Sequence, residues 1–122
     1  MTLILALTCS EGIVVAADSQ ATYSTSGQPT KLPTKKLFKL GSHVVWGVSG
    51  PVGLFQNISS ALCKFHNEQL KKSIKELRPK LTVEVVNVLK EGSKNYIPVD
   101  RNLPPPIAHT LFCGITQHIP WI

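Results

Sequence analysis

The chain has 122 residues, 43% of them hydrophobic and 16% charged, which suits one globular domain over residues 1–122 and excludes a disordered chain. No apolar run approaches the roughly 20 residues of a membrane helix, and the apolar N-terminus lacks the basic leader and the length of a secretory signal, so a cytoplasmic protein is expected. The formal net charge of +6 comes from lysines spread along the chain, without interleaved aromatics or a helix-turn-helix, so neither nucleic acid nor membrane is expected as a partner.

Leu3 to Thr8 and Ile13 to Ala17 are continuous apolar runs joined by Ser10-Glu11-Gly12. Such runs predict a strand hairpin buried on both faces, with Asp18 ending the second strand. Thr22 to Pro33 is rich in Ser, Thr, Gly and Pro and reads as an exposed loop. From Lys35 to Leu40 the pattern alternates, and Lys36 falls on the same face as Phe38 and Leu40. An ammonium on an apolar face needs an anionic partner, because an unpaired buried charge costs several kcal/mol.

His43 to Val48 reads as a further strand, and Ser49-Gly50-Pro51-Val52-Gly53 as a small-residue junction that exposes backbone N–H groups. The period then changes, with Phe55, Ile58, Leu62 and Phe65 at helical spacing, which predicts a helix over 51–70. A charged connector follows over 71–78, and Pro79 suits the first position of a second helix running to about Tyr96, with Leu81, Val85, Val88 and Leu89 on one face. Asn102 to Ile107 reads as a stiff polyproline-like linker and His109 to Ile115 as a strand. Gln117 to Trp121 reads as a turn leading to a strand that the sequence does not contain.

Cys9, Cys63 and Cys113 are odd in number and widely spaced, which predicts reduced core residues and no disulfide framework. His43, His66, His109 and His118 show no metal-ligand spacing, and the glycine-rich junction lacks the lysine of a phosphate loop. Neither a metal nor another cofactor is expected. Any dependence on ATP would come from a partner.

Strand, strand ending in Asp, loop, strand opening with Lys, strand, small-residue junction, helix pair and strand make an order that resembles the β-type subunits of the proteasome and the related bacterial protease HslV, members of the N-terminal-nucleophile (Ntn) hydrolases. The likeness rests on Thr2 before an apolar strand, on Gly12 to Thr22 and on Lys35 to Leu40, and more weakly on Phe112 to Thr116. It covers essentially the whole chain. The resemblance implies an α+β fold, the αββα four-layer sandwich, of which this chain would supply the N-terminal part. Family subunits continue with further strands and helices, so the chain is expected to be truncated at its C-terminus.

The resemblance further implies a threonine endopeptidase. Removal of Met1, the usual fate of an initiator methionine before a small residue, would leave Thr2 with a hydroxyl nucleophile and a free α-amine as base. Asp18 would match the family's acidic residue and hold Lys36, which would match the catalytic lysine and lower the cost of an alkoxide at Thr2. Ser49 stands where the family places a glycine whose backbone N–H binds the oxyanion. The implied partners are a peptide or unfolded protein substrate, a homo- or hetero-oligomeric ring, and, for any ATP dependence, an ATPase. The other reading is a catalytically inactive or truncated homologue with a structural or assembly role.

Overall fold

A computed structural model describes residues 2–25, 28–95 and 105–122 of the chain. The first apolar runs form β1 (Ile4–Cys9) and β2 (Gly12–Ala17), antiparallel from Ile4 opposite Ala17 to Cys9 opposite Gly12. Ile4, Ala6, Ile13 and Val15 line the inner face of this hairpin, and Leu3, Leu5, Leu7 and Val14, each more than half exposed, lie on the other. Burial on both faces, which the continuous apolar runs predict, is therefore not found. Among the described residues no layer covers the outer face.

The segment expected as a loop is instead a second antiparallel hairpin, β3 (Gln20–Thr25) with β4 (Gln28–Pro33). Threonines and Tyr23 favour extended backbone, and Pro29 and Pro33 are tolerated in a strand whose outer edge needs no donor. The expected exposure holds for β4, which is exposed throughout. Thr34 N donates to Ser19 O at 2.8 Å and closes the base of this hairpin beside Asp18.

The central sheet is four-stranded, in the order β5 (Leu37–Leu40), β6 (Val44–Ser49), β7 (His109–Thr116) and β8 (Ile119–Trp121), all antiparallel. Alternation along β6 sends Val44, Trp46 and Val48 to one face and Gly47 to the other. On the first face Phe38 lies 5.0 Å from Trp46 and 5.8 Å from Phe55 between ring centres, which ties the sheet to the helices. On the second face Ile4 presses on Gly47, where an added Cβ would meet its side chain at 3.0 Å. Helices, central sheet and the β1–β2 hairpin thus make three layers of an antiparallel α+β fold.

The expected helix over 51–70 is two helices, α1 (Val52–Leu62) and α2 (Asn67–Leu70). The break has a local cause: the Gln69 side chain accepts from the His66 N–H at 3.2 Å, one half of a capping box that starts a new helix. The next helix, α3 (Ile74–Lys94), starts five residues before Pro79, so the connector is shorter than expected and the proline sits inside the helix. Ser73 stands at its N-cap position without a side-chain capping bond, and the first helical bond runs from Leu77 N to Ser73 O at 3.0 Å. Leu77, Leu81 and Val85 are its buried stripe, packed with Leu54, Ile58 and Leu62 of α1 in one core. The expected end at Tyr96, and 102–104 of the expected linker, lie outside the described residues.

Two further expectations change. Gln117 and His118, at φ 52° and 63°, form a two-residue turn that does lead to a strand, the three-residue β8. Of the cysteines only Cys113 is buried, while Cys9 and Cys63 are exposed. No helix among the described residues is long and apolar enough to cross a membrane.

Candidate active site

Three of the residues singled out by sequence meet where β2 ends and β5 begins. Lys36, 8% exposed, donates from Nζ to Asp18 Oδ2 at 2.6 Å and to Thr2 Oγ1 at 3.2 Å. The strand pattern explains the placement. Lys36 precedes β5 on the face of Phe38 and Leu40, and its neighbour across the sheet is Val48, whose N donates to Lys36 O at 3.3 Å.

Asp18 is anchored by backbone as well. Its Oδ1 accepts from Leu3 N at 2.7 Å and its Oδ2 from Gln20 N at 3.3 Å. The hydrogen bond from Lys36, and after it that from Leu3, holds the carboxyl down at about 2, below its ordinary 3.8. Asp18 thereby joins the start of β1, the start of β3 and the lysine. The Leu3 amide follows Thr2 directly, so the carboxylate also fixes the backbone beside the Thr2 hydroxyl.

A cavity of about 550 Å³ opens over this group, lined by Thr2, Lys36, Gln20, Tyr23, Thr34 and Phe55 among others. Sequence reading missed the wall that β3 supplies, because 22–33 reads as a loop. The Asp18-Ser19-Gln20 turn, in which an aspartate accepts from the amide two residues on, is the local signal that could have placed it.

Ser49, expected to offer its N–H to an oxyanion, ends β6 and also lines the cavity. The ladder turns that N–H away. Val48 N donates toward β5, and successive N–H groups along a strand point to opposite sides, so that of Ser49 faces β7, where Ser49 is paired with His109. The next N–H, that of Gly50, lies on the side of Lys36. Gly50 holds φ 142°, and an added Cβ would meet Ile107 O at 2.8 Å, so glycine is required here.

Among the described residues no group of three or more His, Cys, Asp or Glu side chains could hold a metal ion. What the cluster offers is a hydroxyl, an ammonium that donates to it, and a carboxylate that orients the ammonium.

The family model described as proteasome subunit matches residues 2–119. No curated protein and no solved structure matches the chain.

Proposed function

Because the chain belongs to the proteasome subunit family, we propose that it is a threonine-type peptidase subunit that cleaves peptide bonds with Thr2. The observation that carries this reading is the Lys36 ammonium shared between Asp18 at 2.6 Å and the Thr2 hydroxyl at 3.2 Å. Subunits of this family form oligomeric rings. The substrate would be a peptide or unfolded protein delivered within such a ring, in the cytoplasm, with an ATPase as the source of any energy-dependent unfolding.

Met1 lies outside the described residues, and its removal is part of the proposal. The freed α-amine of Thr2, with an ordinary pKa of about 7.7 to 8.0, suits a proton acceptor near neutral pH. Thr2 Oγ1 attacks the scissile carbonyl carbon, its proton passes to the amine, and the carbonyl oxygen becomes an oxyanion. Collapse breaks the C–N bond. The leaving amine takes the proton from the α-ammonium, an ester remains on Thr2, and water hydrolyses it. An ammonium has donors and no acceptor, so Lys36 stabilises the developing alkoxide and does not serve as base. Ladder alternation favours the Gly50 N–H over that of Ser49 as the oxyanion donor, a shift of one residue from the sequence expectation.

The second reading, a non-catalytic subunit with an assembly role, is favoured by the outer face of β1–β2, which no layer covers among the described residues. The two separate in one experiment: hydrolysis of a fluorogenic peptide by wild type and Thr2→Ala, with intact mass to follow Met1 and sedimentation to detect rings. Hydrolysis by wild type alone, from protein lacking Met1, is the expected result. Retained Met1, or equal rates in the two proteins, would overturn the peptidase reading. A ring without hydrolysis would assign the assembly role.

A further inference from the structure

Besides Lys36, a second lysine lines the cavity over Thr2. Lys35 is exposed, and its Nζ lies 5.6 Å from the centre of the Phe38 ring, which holds the ammonium against an aromatic face. Phe38 stacks in turn on Phe55, at 5.8 Å between ring centres, and Phe55 is part of the cavity wall. The Lys35 charge therefore stands at the edge of an aromatic surface that continues into the cavity.

The two lysines differ in what their ammonium groups already hold. Lys36 donates to Asp18 at 2.6 Å and to Thr2 at 3.2 Å, whereas among the described residues Lys35 forms no ion pair. Nor does a described carboxylate line the cavity: Glu11 stands on the β1–β2 turn, and Glu68, Glu76, Glu84 and Glu91 stand on α2 and α3. Val48, Val52 and Phe55 give the wall an apolar part. A side chain with a short apolar stem and a terminal carboxylate suits both features, because its methylenes cover the apolar part and its charge meets an ammonium that has no other anion. A basic side chain would meet like charge there.

We infer that Lys35 sets the specificity of the proposed peptidase, the cavity taking a glutamate side chain from the residue on the acyl side of the scissile bond. The inference rests on the peptidase reading. That residue supplies the carbonyl that Thr2 Oγ1 attacks, so its side chain is the one brought nearest to the cavity wall. The contact joins the glutamate carboxylate to the Lys35 ammonium at the rim, where water and salt screen it. Lys35 ranks substrates without entering the bond changes, and Lys36 remains the lysine that touches the nucleophile.

The test is hydrolysis, by the 122-residue chain, of three blocked fluorogenic tripeptides that differ only in the last residue: glutamate, its neutral isostere glutamine, or leucine. kcat/KM for the glutamate peptide is expected to exceed both others by about fivefold, the scale of one partly exposed ion pair, and the margin should narrow at about 1 M salt. Lys35→Met should bring the glutamate and glutamine peptides within about twofold of each other, and Lys35→Glu should place glutamine ahead. Both changes fall at an exposed position, and melting curves check that the variants fold. Equal rates for glutamate and glutamine in wild type, a faster leucine peptide, or a glutamate preference that survives Lys35→Met would overturn the inference and leave the peptidase reading intact. Calorimetric titration of Thr2→Ala with the same peptides as amides separates the two failures, since the glutamate peptide should bind most tightly there and lose that lead when Lys35→Met is added. That ranking without hydrolysis by wild type would sustain the acidic preference while the peptidase reading falls. Absence of any ranking in binding would overturn the inference as well.

Discussion

Lys36 Nζ sits 2.6 Å from Asp18 Oδ2, with the lysine 8% and the aspartate 32% exposed. The pair spans the boundary between core and cavity: the ammonium stem runs along the apolar face of β5, and the carboxylate stays near solvent on two backbone amides. A lysine that looks misplaced in an alternating strand is thereby paired, and its remaining donor capacity is turned on Thr2.

The depressed Asp18 carboxyl sets a pH dependence of stability. Its pKa falls from an ordinary 3.8 to about 2 on folding, so the unfolded chain binds the proton more readily. The contribution is complete above about pH 4 and is lost as pH falls through 2. Thermal melts of wild type and Asp18→Asn should differ by a constant margin above pH 4. The margin should shrink between pH 4 and 2, and a gap unchanged down to pH 2 would count against the pairing.

Lys36→Met keeps the apolar stem and removes the donor to Thr2. Peptide hydrolysis by this variant is expected to fall by at least about 100-fold, the scale on which a positioned charge acts. Its melting temperature should fall as well, by about as much as that of Asp18→Asn, because either change breaks the same ion pair and leaves one partner behind. Hydrolysis lost only in proportion to the unfolded fraction would mean that Lys36 acts through the fold alone.

Two glycines a few residues apart should respond in opposite directions. At Gly50, φ is 142° and an added Cβ would lie 2.9 Å from Ala108 Cα as well as 2.8 Å from Ile107 O, all backbone. Gly50→Ala is expected to destabilise by about 1–3 kcal/mol in urea titration. At Gly53, in α1, nothing lies within 4 Å of an added Cβ. Gly53→Ala should be neutral or stabilise by up to about 1 kcal/mol.

Thiol chemistry should distinguish the cysteines. Cys9 and Cys63 are exposed, whereas Cys113 is buried beside Val45 O at 3.4 Å and its thiol pKa is raised by burial. A thiol reagent added to native protein at neutral pH should label two cysteines quickly and the third only on unfolding. Fast labelling of all three would contradict the β6–β7 packing.

Much of the site was legible because it rests on local pattern. A lysine at an apolar position of a strand demands an anionic partner, and the resemblance to the family pointed to Asp18 at the end of β2. The helical face through Leu81 and Val85 is legible for the same reason, since a period of 3.6 residues is written in neighbours a turn apart. The β3–β4 hairpin was not legible. Ser, Thr and Pro carry loop composition, and what makes them strands is pairing such as Ala21 with Leu32 across the hairpin. The break before α2 was hidden in one side chain, Gln69, accepting from the His66 amide.

By itself the sequence determined that Lys36 needs an anionic partner, from strand alternation and the cost of an unpaired ammonium, while the choice of Asp18 and Thr2 as its companions came from the resemblance to the family. Only the tertiary structure decided which way each amide points and which apolar faces stay uncovered. The Ser49 N–H turns to β7 and the Gly50 N–H to the Lys36 side because β6 pairs with β5 on one edge and β7 on the other. Leu5 and Leu7 stay exposed because, among the described residues, the hairpin is packed on one face alone. A strand's period of two is local, but its register and its cover are supplied by partners far along the chain.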